Sequence, residues 1–194
     1  MCKEFIELDM TKDKNKKTRP NDYSVGQVIE ILKKGGVGVM PTDTLYGLVG
    51  GAFSRKAVKR IYKIKKRDKK KKFIVLISSF KDLKKFNIKI DKNLEIFLKR
   101  YWPGKTSIIL NDIAFRLPKK KSLIEIIKKT GPLVAPSANR EGNKPAENIK
   151  QAKKYFKDEV DFYVSDGAIK GKPSNLIRIN SKREIEVLRG TIKK

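Results

Sequence analysis

Apolar positions along the chain switch repeatedly between helical and strand periods. Val25, Val28, Ile29 and Leu32 fall at i, i+3, i+4 and i+7 and predict a helix. Ser24 with Gln27 has capping-box spacing at its start, and Gly35-Gly36 fits a left-handed cap at its end. The run Val37 to Met40 then reads as a short buried strand, and Ser54 opens a second helix with Val58, Ile61 and Tyr62 on its inner face. Phe73 to Ile77, FIVLI, is continuously apolar, as a strand covered on both faces must be. Leu94, Phe97, Leu98 and Tyr101 mark another helix, and 107–110 and 113–116 make a hairpin across a tight polar link. Leu123, Ile126 and Ile127 face inward from a further helix. Leu133 to Ala135 is a short strand, and 146–156 a helix. Strands over 162–164, 176–179 and 185–188 close the pattern. At the other end, residues 3–8 alternate loosely as a first strand. Residues 9–23 are polar and lysine-rich, with Pro20 and Asn21, and read as a mobile connection. No internal repeat and no linker divides the chain. The expectation is one α/β domain over 1–194: a single twisted, mixed sheet with helices packed on it.

Composition narrows the chemistry. Of 194 residues, 39% are hydrophobic, enough for a core, and no apolar run approaches the roughly 20 residues of a membrane span. The N-terminal MCKEFIELDMTKDK lacks the apolar centre of a secretory signal, so a soluble cytoplasmic protein is the default. Cys2 is the only cysteine and histidine is absent. Serine–histidine and cysteine–histidine catalysis are therefore excluded, and a protein-held zinc site is disfavoured. The net charge is +27, from 48 Lys and Arg against 21 Asp and Glu. Such an excess attracts polyanions such as nucleotides or RNA, although lysines spread over every segment also suit solvated helix faces.

The informative polar residues stand at element ends. PTDTLYGL, 41–48, follows the second strand with two threonines, an aspartate and a tyrosine. KIKKRDKKKKFIVLI carries Lys65, Arg67 and Lys71 into the FIVLI strand. Arg116 ends IAFR, Ser137 and Asn139 follow LVAP, Ser174 lies in KPSN, and Arg189 in VLRG. Each has a local explanation: a threonine bonding its own turn, a basic last helical turn, an exposed edge, an Asx turn. Together, hydroxyls, an amide and arginine forks at successive element ends fit a concave site for carboxylate or phosphate. Neither a GxxxxGK[ST] loop nor a GxGxxG fingerprint is present.

In this order the motifs resemble the YrdC/Sua5 family of L-threonylcarbamoyladenylate synthases, from about Gly35 to Gly190. GGVGVMPTDTLYGL resembles the strand-PT[DE]TxYGL signature, KKR at 65–67 its KxR, and YWPGKTSIIL its WPGPxT element. FRLP, APSAN, DGAIKGKPSN and VLRG match its VRxP, [AP]SAN, DGG…[EP]ST and LRxG. The resemblance implies a deep basic cavity. It also implies the reaction of L-threonine, bicarbonate or CO2, and ATP to L-threonylcarbamoyl-AMP and pyrophosphate, the first step of N6-threonylcarbamoyladenosine formation at position 37 of tRNA. It assigns threonine to Thr44, Arg116, Ser137 and Ser174, and ATP to Arg67, Lys71, Asn139 and Arg189. Lys65 and Arg67 take the catalytic charge, with Lys65 on phosphate or carbamate. Mg2+ arrives with ATP and no metal is held by the protein. PTDTLYGL becomes a cavity wall, with Thr44 pointing in, Tyr46 shaping it and Gly47 turning the backbone into the next element. Four positions depart from the family pattern: Asn175, Ser107, Leu76 and Glu147. The chain ends at Lys194, so the expected form is the short one without a C-terminal Sua5-type domain, handing its product to downstream threonylcarbamoyl-transfer proteins. The competing reading is a non-catalytic binder of double-stranded RNA, tRNA or rRNA. Carbamoyl-adenylate chemistry on another acceptor is a third reading.

Overall fold

The computed structural model describes residues 6–9, 25–179 and 184–192; Cys2, the cap expected at Ser24 and most of the connection expected over 9–23 lie outside the described residues. The elements run β1 (Ile6–Asp9), α1 (Val25–Lys33), β2 (Val37–Pro41), β3 (Tyr46–Gly51), α2 (Arg55–Lys65) and β4 (Ile74–Leu76), then a 3-10 helix (Phe80–Phe86). They continue α3 (Lys92–Lys99), β5 (Thr106–Leu110), β6 (Ile113–Arg116), α4 (Lys121–Thr130), β7 (Leu133–Val134), α5 (Ile149–Phe156), β8 (Phe162–Ser165), β9 (Asn175–Ile179) and β10 (Ile185–Arg189). Among the described residues these strands form one ten-stranded mixed sheet in the order β1-β8-β2-β3-β7-β4-β6-β5-β9-β10.

Strand alternation places a separate core on each face of the sheet. In 73–77, Phe73, Val75 and Ile77 join one cluster with α2, α5 and the 3-10 helix, whereas Leu76 joins the other with α1 and α4. The same alternation sends Tyr46 and Leu48 to the first cluster and Val49 to the second. The uninterrupted apolar run is therefore the signature of a strand with no solvent face. Gly38 lets the Phe162 ring lie flat on β2: a Cβ there would stand 2.4 Å from three ring carbons. The hairpin between β5 and β6 turns at Asn111 and Asp112, both with positive φ (46° and 60°), as a tight two-residue connection requires.

Several expectations need correcting. PTDTLYGL does stand at a strand end, with Pro41 closing β2, but 42–45 form a turn and Tyr46 starts β3, a strand not expected from the sequence, which pairs antiparallel with β2 along the full length of β2. Gly47 accordingly sits inside a strand, tight against Thr42 and the Pro136 carbonyl, and does not bend the chain. The inner face of α2 is Ala57, Ile61 and Ile64, with Val58 and Tyr62 only flanking it. The last helix starts at Ile149, capped by the Asn148 side chain on Gln151 N–H, three residues later than expected from Ala146. Val25 is 38% exposed and does not share the buried stripe of α1. The 3-10 helix was not expected, although Phe80, Leu83 and Phe86 recur at every third position.

Candidate active site

The Thr42–Leu45 turn is held by its own hydroxyls. Thr42 Oγ1 accepts from the backbone N–H of Thr44 (3.1 Å) and of Leu45 (3.2 Å), and donates to the Leu45 carbonyl at 2.7 Å. The two threonine hydroxyl oxygens also lie 3.0 Å apart, within hydrogen-bond distance. Thr44 Oγ1 accepts from Arg116 Nη1 at 2.9 Å. Arg116 ends β6, and its guanidinium is buried, with 4% of its side chain exposed. Nη2 lies 3.2 Å from Asp43 Oδ1, while Nε has no hydrogen-bond partner among the described residues. Burial pulls the Arg116 pKa down, Asp43 opposes that shift, and Arg189 adds to it. An unmatched buried donor on a fixed cation favours an incoming anion.

The Ser137–Asn139 segment follows β7 and is clipped to β3. Leu48 N–H donates to the Pro136 carbonyl, and Ala138 N–H to the Tyr46 carbonyl, each at 2.8 Å. From behind, Lys65 at the end of α2 donates to the carbonyls of Ser137 and Asn139 (2.7 Å each) and to Asn139 Oδ1 (3.0 Å). Ser137 Oγ also donates to that oxygen, at 2.7 Å. The Asn139 amide nitrogen reaches the Arg140 and Asn143 carbonyls at 3.0 and 2.6 Å. Lys65 is fully buried, and burial first, then Arg67, lowers its pKa to about 8, with Glu141 opposing.

The opposite wall comes from β9 and β10. The Ser107 and Ser174 hydroxyls share a hydrogen bond of 2.9 Å. Arg189 donates from Nε to the Ser174 carbonyl (2.9 Å) and from Nη2 to its hydroxyl (3.3 Å). Burial and then the Arg67 charge lower the Arg189 pKa, so the two arginines share one field. Arg67 itself donates from Nε to the Lys71 carbonyl at 3.1 Å and from Nη1 to Glu141 Oε2 at 2.9 Å.

These walls enclose a cavity of about 290 Å³. Of the nine residues assigned to substrates or catalysis from the sequence, six line it: Thr44, Arg67, Arg116, Ser137, Ser174 and Arg189; Tyr46 and Gly47 line it too. Lys65, Lys71 and Asn139 do not line it. Lys65 and Asn139 build the wall behind Ser137, and Lys71 is exposed beside Glu141. Sequence reasoning missed Lys72 and Asp112, which do line the cavity; nothing separates Lys72 from its neighbours in a run of lysines. Among the positions that depart from the family pattern, Ser107 backs Ser174, whereas Leu76, Glu147 and Asn175 all lie outside the lining. Leu76 is buried in the core on the far face. The charged lining is Arg67, Lys72, Arg116 and Arg189 against Asp112 alone; nearby, Glu141 accepts from Arg67, and Asp43 is ion-paired with Arg116 although its Oδ1 has no hydrogen-bond partner among the described residues. That donor set suits an anion that carries its own metal ion better than a bare cation. Among the described residues no group of three His, Cys, Asp or Glu could hold a metal, and no helix is long and apolar enough to cross a membrane.

Comparison with known proteins identifies the family of the chain. The Sua5/YciO/YrdC family model, described as telomere recombination, matches residues 30–190. A Marinobacter nauticus threonylcarbamoyl-AMP synthase is 31% identical over 178 residues, covering 82% of this chain and 93% of that protein. A Bacillus subtilis threonylcarbamoyl-AMP synthase is 30% identical over 172 residues, covering 80% of this chain but 48% of that protein. The crystal structure of Pyrococcus abyssi Sua5 complexed with L-threonine superimposes with a TM-score of 0.79 at 23% identity, over 96% of this chain and 57% of that one. The chain thus spans about half of the longer relatives and nearly all of the Marinobacter one.

Proposed function

The chain belongs to the Sua5/YciO/YrdC family, and from that premise we propose that it is an L-threonylcarbamoyladenylate synthase. It would join L-threonine, bicarbonate or CO2, and MgATP into L-threonylcarbamoyl-AMP and pyrophosphate. The observation that carries this reading is convergence. Thr44, Arg67, Arg116, Ser137, Ser174 and Arg189 come from separate stretches of chain and face one cavity.

Each group has a physical task in that reaction. Arg116, with its unmatched Nε, takes the threonine carboxylate, and Thr44 fixes the guanidinium plane. Ser137 and Ser174 orient the amino-acid end. The neutral threonine amine captures CO2 and gives up one proton to solvent, and an oxygen of the resulting carbamate attacks the α-phosphorus. The bond from that phosphorus to the bridging oxygen breaks, and pyrophosphate leaves with Mg2+. Arg67 and Arg189 neutralise the phosphate charge, joined by Lys72 in the lining. Lys65 and Asn139 act through the loop they hold, and Lys71 stands at the margin. The chemistry is an adenylyl transfer to N-carboxy-threonine, so it asks for alignment and charge rather than an imidazole base, in keeping with a chain without histidine. The product would serve N6-threonylcarbamoyladenosine formation at tRNA position 37 through downstream transfer proteins in the cytoplasm, and the charge of +27 suits contact with RNA.

The deciding experiment is pyrophosphate release from MgATP with L-threonine and bicarbonate supplied separately and together. Release that requires both is expected. Release that requires neither would replace this reading with a plain ATP pyrophosphohydrolase.

A further inference from the structure

Glu141 stands where an anion should be. Its carboxylate bridges two cations: Oε2 is 2.9 Å from Arg67 Nη1, and Oε1 is 3.1 Å from Lys71 Nζ. Arg67 lines the cavity and takes phosphate in the proposed reaction, while Lys71 stands at the margin of the cavity beside it. The arrangement is built by backbone. Glu141 N–H donates to the Lys65 carbonyl at 2.8 Å, which pins this loop to the end of α2. Arg67 N–H donates to the Tyr62 carbonyl, Lys71 N–H to the Asp68 carbonyl, and Arg67 Nε to the Lys71 carbonyl, at 3.1 Å each. Two segments 74 positions apart thus meet at a fixed spacing, with both carboxylate oxygens turned to the cations. The hydrogen bond from Lys71, followed by that from Arg67, holds the Glu141 carboxyl below the usual carboxylate range, so it is charged at neutral pH.

We infer that Glu141 is an internal competitor for phosphate, a carboxylate that neutralises the Arg67–Lys71 pair in the empty cavity and that a nucleotide's phosphates must displace. This rests on the proposed reaction for the assignment of Arg67 to phosphate. Two anions on one guanidinium edge repel at close range, so a phosphate cannot simply add to the pair. A polyphosphate that also reaches Arg189 and Lys72 wins this exchange more readily than a lone phosphate group. After the reaction, the return of Glu141 to Arg67 helps to expel pyrophosphate. Glu141 therefore sets how tightly polyphosphates are held and leaves the threonine end, built around Arg116 and Thr44, unaffected.

The test is calorimetric binding of inorganic pyrophosphate to the full chain at fixed, low ionic strength, for wild type, Glu141→Gln and Glu141→Ala, with Arg67→Ala as reference. The pair is partly exposed, which limits the effect to about three- to tenfold tighter binding in both Glu141 variants, with L-threonine affinity unchanged. In turnover, the same variants should show stronger product inhibition by pyrophosphate. If pyrophosphate binds wild type and the Glu141 variants bind it equally or more weakly, the carboxylate is a bracket that orients Arg67 and the inference is overturned while the proposed reaction stands. If wild type binds no pyrophosphate, or Arg67→Ala binds it as well as wild type, the assignment of Arg67 to phosphate falls and the inference with it.

Discussion

Arg116 Nη1 and Thr44 Oγ1 meet at 2.9 Å although 72 positions separate them in the chain. The contact joins the end of a central strand to the turn between β2 and β3. It orders the guanidinium before any substrate arrives. Thr44→Val keeps the shape and removes the acceptor. Unfolding in urea should show a loss of about 1–2 kcal/mol, the cost of a buried charged donor losing its partner. The KM for L-threonine should rise about tenfold with little change for ATP. An unchanged threonine KM would detach Thr44 from the amino-acid end.

Arg67→Ala removes a cation that is paired at the surface edge of the site. Stability should change by less than about 1 kcal/mol, because partly exposed ion pairs contribute little. Pyrophosphate release should fall by about a hundredfold or more, since a charge on the transferred group is lost. Thermal midpoint and turnover measured on one preparation separate the two effects. A variant with wild-type turnover would contradict the assignment.

Lys65 gives the site a pH signature. The folded chain releases this proton near pH 8, against 10.5 for an ordinary lysine. Between those values the unfolded state binds more protons, so the contribution of this group to stability rises with pH, by on the order of 3 kcal/mol. Below about pH 8 the full cost of the buried charge is present. Activity should move the other way. A neutral amine has two protons for three oxygens, so the Ser137–Asn139 segment loses an anchor and kcat/KM should fall above about pH 8. Urea titrations of wild type and Lys65→Met at about pH 7 and about pH 10, beside a pH–rate profile, check both signs. A profile flat to about pH 9.5 would remove Lys65 from the support of that loop.

Gly171 lies against the turn from the other side: a Cβ there would sit 1.9 Å from the Thr44 carbonyl oxygen. Gly171→Ala must push backbone from backbone, at a cost of about 1–3 kcal/mol. The displaced turn should weaken threonine binding more than ATP binding, measurable by calorimetry with each ligand.

The sheet was legible where side chains carried a period. FIVLI announced a strand covered on both faces, and Asn111-Asp112 announced a hairpin. β3 was not legible, because Gly47, Gly50 and Gly51 dilute its alternation. Those glycines leave room for neighbours: a Cβ on Gly50 would stand 3.0 Å from Ala57 on α2. At the site, hydroxyls and arginines at strand ends pointed to the cavity because a strand end has few other uses for them. The lysines misled. A cation at the end of a helix can face a ligand or turn back to hold a loop, and spacing is the same for both; Lys65 turns back. Lys72 was hidden for the opposite reason, one cavity-lining side chain within a run of like residues.

Among the described residues, the five of β10 are all exposed, and β10 pairs only with β9. It nevertheless delivers Arg189 to the cavity. Backbone amides there are expected to exchange with solvent deuterium far sooner than those of β2 and β3, which lie in the middle of the sheet with helices on both faces. The cavity therefore has a slow side and a fast side. The floor around Thr44 and Arg116 is expected to open only with the whole molecule, and the wall that carries Arg189 on the clock of a single edge strand.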